Sequence, residues 1–112
     1  MLVGGEETKG YVSKEVLDAL GPDGIVVNVS RGTTIDEEAL ITALQNQSIA
    51  GACLDVFLNE PDIDSRFMDM DNVLLLPHIG SATHDTRAAM GQLQRDNALA
   101  QLAGNALLTP VN

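Results

Sequence analysis

Short aliphatic runs alternate along this chain with stretches patterned as helices, and turn residues separate them. Residues 25–29 (Ile25-Val26-Val27-Asn28-Val29) are β-branched apart from Asn28 and too few for a buried helix, which predicts a central strand. Ile49 to Phe57 predicts a second strand. It opens on the small residues Ala50, Gly51 and Ala52, which admit a close neighbour, and Asn59-Glu60-Pro61-Asp62 breaks it. Asn72 to Leu76 predicts a third strand, ended by Pro77. Met1-Leu2-Val3 reads as the end of a further strand, cut off by Gly4-Gly5.

Between these runs the pattern turns helical. Ser13 is placed as an N-cap with Val12 and Leu17 as a hydrophobic staple, and Gly21-Pro22 stops that helix after Leu20. Asp36 caps a second helix, stapled by Ile35 and Leu40, with Ala39, Leu40, Ala43 and Leu44 on one face. Residues 62–71 read as an acidic, irregular surface loop. A long helix is expected from about Thr83 to about Ala103, where Gly104-Asn105 ends it. Its apolar stripe is Ala89, Met90, Leu93 and Ala100, widened by Leu99 and Leu102. Strand, helix, strand, loop, strand, helix makes an α/β chain: half of a doubly wound parallel sheet with a long terminal helix.

Composition narrows the partners. The chain has 112 residues, enough for one small domain, and 45% of them are hydrophobic but only 3% aromatic, so the core is aliphatic. Sixteen acidic residues against six Lys and Arg give a net charge of −10, which disfavours nucleic acid and anionic membrane surfaces alike. No signal-peptide core and no apolar run near the length of a membrane span occurs. Cys53 is a lone cysteine in an apolar stretch and reads as a small buried hydrophobe, in keeping with a reducing cytoplasm.

Polar side chains at the ends of the predicted strands supply the candidate chemistry. Arg31 follows the first strand, Glu60 the second and His78 the third. In an open parallel sheet, ligands bind in the crevice at the carboxyl ends of strands. A guanidinium can hold an anion bidentately, and an imidazole beside a carboxylate can move a proton near neutral pH. The plainer alternatives are a surface arginine paired with Asp36 or Glu37, a hydrogen-bonded loop histidine, and one acid among sixteen. Asp55 lies between Leu54 and Val56 inside the second strand; a carboxylate there needs hydrogen bonds, from the backbone or from a ligand amide. His84, near the start of the last helix, has no evident role. The chain contains neither G-x-G-x-x-G nor G-x-x-x-x-G-K, so it holds no nucleotide anchor of its own, and its two histidines and one cysteine make no metal cluster.

Several motifs in order carry a resemblance. They are Val27-Asn28-Val29-Ser30-Arg31-Gly32, Ile35-Asp36-Glu37-Glu38-Ala39-Leu40, Gly51-Ala52-Cys53-Leu54-Asp55-Val56-Phe57 with Glu60-Pro61, and Pro77-His78-Ile79-Gly80-Ser81-Ala82-Thr83 with Thr86-Arg87. Together, over about residues 8–112, they resemble the D-isomer-specific 2-hydroxyacid dehydrogenases. The resemblance implies a Rossmann-type fold and reversible reduction of a 2-oxo acid to a D-2-hydroxy acid with NAD or NADP. It gives Arg31 the substrate carboxylate, a share in polarising its carbonyl and a place among the cofactor-binding residues, His78 the proton and Glu60 the tuning of His78. Asp55 would accept from the nicotinamide carboxamide, Val29 would add a backbone contact, and His78, Ile79, Gly80 and Ser81 would line the nicotinamide pocket. Glu60 separates the chain from the formate dehydrogenase branch, where an amide is expected.

The family's glycine-rich loop and substrate domain have no counterpart in the 112 residues. The chain therefore reads as the carboxyl-terminal part of a dinucleotide-binding domain, with residues 104–112 returning toward a substrate domain. A proline expected near Val3 is missing. The alternative is an inert fragment or a self-associating module, and a homo-oligomer is expected in either case.

Overall fold

The computed structural model describes residues 5–111, so the strand expected at Met1-Leu2-Val3 lies outside the described residues. Two compact units divide the chain, residues 1–80 and residues 81–112. The first contains α1 (Lys14–Leu20), β1 (Ile25–Asn28), α2 (Glu37–Gln45), β2 (Gly51–Leu54) and β3 (Val73–Leu75). The strands form one parallel sheet in the order β1-β2-β3, with Val27 opposite Cys53 and Cys53 opposite Leu74.

One face of this sheet builds the core. Val26, Ala52, Val73, Leu54 and Leu75 pack with Leu17 of α1 and with Leu40, Ile41 and Leu44 of α2. On the opposite face Ile25, Val27 and Leu74 are exposed, Val27 to 66%. Among the described residues the strand order places β1 at one edge of the sheet, beside β2 alone. The helix boundaries follow their signals. Asp36 caps α2 by accepting from Ala39 N–H at 3.1 Å, and Gly21 ends α1 with φ 78°, a left-handed value that favours glycine.

Some expectations need correction. Ser13 occupies the N-cap position, but its hydroxyl donates to Glu15 Oε2 (2.6 Å) rather than capping the backbone. The strands are shorter than their apolar runs. β2 ends at Leu54, where the chain turns to form the site, although Asp55 N–H still donates to Asn28 O at 2.9 Å. Residues 62–71 are more than a surface loop: Ser65–Asp69 form a 3-10 helix that drives Phe67 into the core, 1% exposed. Its ring meets Phe57 edge-on at 6.1 Å. Arg66 fastens this segment to α2 by donating to both oxygens of Glu38 (2.9 and 2.6 Å) while also holding Asp64. The guanidinium pulls the Asp64 carboxyl down from 3.8 to about 2.

The second unit is a single long helix, α3 (His84–Leu102), with a short tail. Thr83 caps it by accepting from Thr86 N–H at 3.2 Å, and Gly104 follows its end with φ 70°. None of its residues is buried. No described helix is long and apolar enough to cross a membrane.

Candidate active site

Where β1 ends, a buried hydrogen-bond network shapes the loop that carries Arg31. Asn28 Oδ1 accepts from the Ser30 hydroxyl (2.8 Å) and its backbone N–H (3.1 Å), while Asn28 Nδ2 donates to Arg31 O (3.0 Å). The buried Thr34 hydroxyl donates to the same carbonyl at 2.7 Å. Three buried polar side chains thus satisfy one another, as burial requires. Gly32 lets this loop lie against the next one, since a Cβ there would fall 2.1 Å from the Phe57 carbonyl. The guanidinium itself stays exposed. Its Nη1 donates to Ser30 O at 2.7 Å, and among the described residues no carboxylate pairs with it. The pairing with Asp36 or Glu37 is not formed; Glu37 instead accepts from Leu58 N–H at 3.0 Å.

Past β2 the chain turns so that Glu60 Oε1 accepts from Phe57 N–H at 2.8 Å. The other oxygen, Oε2, lies 2.6 Å from His78 Nδ1. The bond to His78 chiefly, and that to the Phe57 N–H next, hold the Glu60 carboxyl below its ordinary value. Glu60 is therefore ionised at neutral pH and can only accept, so Nδ1 carries the hydrogen. The free ring nitrogen, Nε2, is the atom left to give or take a proton. Because the Glu60 value is depressed, the pair contributes fully above the ordinary glutamate range. It is lost as pH falls through the lowered value. Phe57, Pro61, Ile63, Met68 and Leu76 line an apolar cleft of about 450 Å³ beside the pair.

His78 sits in the left-handed region, φ 54°. That conformation costs a non-glycine residue on the order of 1–2 kcal/mol, so its surroundings must hold it. The next two backbone N–H groups, of Ile79 and Gly80, donate to Asp55 Oδ1 (2.8 Å) and Oδ2 (2.7 Å). Asp55 is 3% exposed. Its backbone alternative is thus realised, and the carboxylate keeps lone pairs beyond these two bonds. Val29, just past β1, is exposed. Ser81 belongs to the second unit, where its carbonyl accepts from Thr83 N–H at 3.0 Å.

The structure thus joins Glu60 to His78, and Asp55 to Ile79 and Gly80. Asn28, Ser30, Thr34 and Glu37 complete the support and were not singled out by function. The one signal available for them was Asn28 itself, a polar residue inside a β-branched strand.

A parallel sheet that presents a hydrogen-bonded carboxylate and imidazole and an exposed guanidinium beyond its strands has the form of half a doubly wound α/β domain. The family model described as "D-isomer specific 2-hydroxyacid dehydrogenase, NAD binding domain" matches residues 2–80, and the chain belongs to this family. A 2-ketogluconate reductase from Gluconobacter oxydans is 48% identical over 108 residues, 96% of this chain and 35% of that protein. Among solved structures, an NADPH-dependent glyoxylate/hydroxypyruvate reductase from Sinorhizobium meliloti, in complex with NADP and malonate, superposes with TM-score 0.94. It is 50% identical and covers 99% of this chain and 35% of that one. A 2-hydroxyacid dehydrogenase from Ketogulonicigenium vulgare is 52% identical with TM-score 0.92, covering 100% of this chain and 35% of its own. The chain spans about a third of the length of these relatives.

Proposed function

We propose that this chain carries the proton-transfer pair and the carboxylate clamp of an NAD(P)-dependent enzyme that interconverts a 2-oxo acid and a D-2-hydroxy acid. The observation that carries this reading is the 2.6 Å contact between His78 Nδ1 and Glu60 Oε2, which fixes the ring and leaves Nε2 as the proton donor. Arg31, free of any carboxylate partner among the described residues, takes the substrate carboxylate in two parallel hydrogen bonds. Asp55 has acceptor capacity left for a carboxamide N–H, and Gly80 brings the backbone close there. Val29 adds a backbone contact, and His78 and Ile79 complete the nicotinamide end. These residues fit that end of the dinucleotide. The sequence contains no G-x-G-x-x-G loop for its pyrophosphate.

When bound, a nicotinamide would supply the hydride to C2 of the oxo acid. As the carbonyl electrons move to oxygen, that oxygen takes the proton from His78 Nε2, and Glu60 stabilises the charge on the ring. In reverse, the neutral ring accepts the hydroxyl proton. Residues 104–112 return toward a substrate domain in this reading, and the free Cys53 suits a reducing cytoplasm.

The test is a graft: the Sinorhizobium meliloti reductase with the segment it shares with this chain replaced by these 112 residues. We expect reduction of glyoxylate and hydroxypyruvate by NADPH or NADH, and none by the chain alone. A folded graft without turnover, or turnover by the chain alone, would count against the reading.

The exposed sheet face at Ile25, Val27 and Leu74 favours a second behaviour for the isolated chain, self-association into a homo-oligomer, because parallel sheets are normally covered on both faces. Light scattering is expected to show a dimer or larger species at tens of micromolar, roughly the range of weak interfaces. A monomer at that concentration would contradict it.

A further inference from the structure

The ladder between β2 and β3 makes its last bond from Leu76 N–H to Leu54 O at 2.8 Å. Pro77 then offers no N–H, and the chain takes the left-handed step at His78. The next two N–H groups return to the end of β2 and converge on one buried carboxylate, with one oxygen for each. A Cβ on Gly80 would lie 2.8 Å from Asp55 Oδ2, so glycine is what lets this approach occur.

We propose that Asp55 is a positioning residue for the His78–Glu60 pair. By binding the Ile79 and Gly80 N–H groups, its buried carboxylate holds the left-handed turn that aims the imidazole at Glu60. An asparagine could accept one of these N–H groups but would oppose the other with its own NH2. The turn would then relax toward the extended region that His prefers, and Nδ1 would leave Oε2. The catalytic meaning of the lock rests on the role proposed for His78, but the lock itself can be read without turnover.

Glu60 reports on it. His78 and the Phe57 N–H hold its carboxyl below 4.5, and among the described residues the one other charge that acts on it, Asp55, pushes the opposite way. A role for Asp55 through charge alone and a role through position therefore predict shifts of opposite sign. We would follow the Glu60 carboxyl carbon by NMR titration in the 112-residue chain, in Asp55→Asn, in Gly80→Ala and in His78→Ala, the last marking the value without the pair. The lock predicts that the Glu60 midpoint in Asp55→Asn rises toward that of His78→Ala. A fall, as from simple loss of negative charge, or no change overturns it. Should Asp55→Asn fail to give a dispersed amide spectrum, Gly80→Ala decides by the same criterion, since it displaces Oδ2 with the charge kept. The titration stays readable if the graft proves inactive, so the lock and the proposed reaction fail separately.

Discussion

Replacing His78 with alanine in the grafted reductase is expected to lower kcat for hydroxypyruvate reduction by roughly 10²–10⁴, the usual contribution of a positioned general acid. KM should change little, because the ring acts on the developing alkoxide and the substrate carboxylate is held elsewhere. Glu60→Gln should cost less and through the same step, since the amide still positions the ring but cannot stabilise its charge. His84 offers an internal control. It opens α3 in the second unit, and His84→Ala should leave the rate unchanged. Steady-state rates for the three variants check the assignment, and wild-type turnover in His78→Ala would remove it.

The second large effect belongs to Arg31. Hydrogen bonds to charged groups contribute about 1.5–3 kcal/mol each, so losing a bidentate pair in Arg31→Ala should lower kcat/KM by on the order of 10²–10⁴. Most of that loss should appear in KM. Arg31→Lys keeps the charge but not the planar fork and should recover only part of it. The Asn28, Ser30 and Thr34 network predicts that folding survives either change, since it binds the Arg31 backbone carbonyl and not the guanidinium. An Arg31→Ala graft with unaltered kinetics would show that the carboxylate binds elsewhere.

Local rules made much of this fold legible. Aliphatic runs marked all three strands. Asp36, Thr83, Gly21 and Gly104 marked helix ends through chemistry confined to one turn of backbone. The register could not be read in that way. Whether Asp55 ends the ladder or lies within it depends on how β2 meets its neighbours, and its hydrogen bonds come from 24 and 25 residues away. The same holds for Phe67. Acidic neighbours hid a residue whose partner, Phe57, lies across the site turn, and Arg66 reaches 28 residues back to Glu38. Ser13 shows the opposite failure: a local rule was outcompeted by a nearer carboxylate on Glu15.

In the site, residue types and their places at strand ends were enough to nominate Arg31, Glu60 and His78, and the resemblance paired Glu60 with His78. The left-handed backbone at His78 left no trace in the sequence beyond Gly80 two residues on. Without that geometry Asp55 could be read only as a buried acid in need of partners. With it, the carboxylate becomes part of the machinery that sets where the imidazole points.

Isotope transfer tests the central claim most directly. The grafted reductase would reduce hydroxypyruvate with reduced cofactor deuterated at the transferring position, and the glycerate would be analysed by NMR and chiral chromatography. We expect D-glycerate with deuterium at C2, in an amount that falls with turnover in His78→Ala. Glycerate of the L-configuration, or product without deuterium at C2, would contradict it.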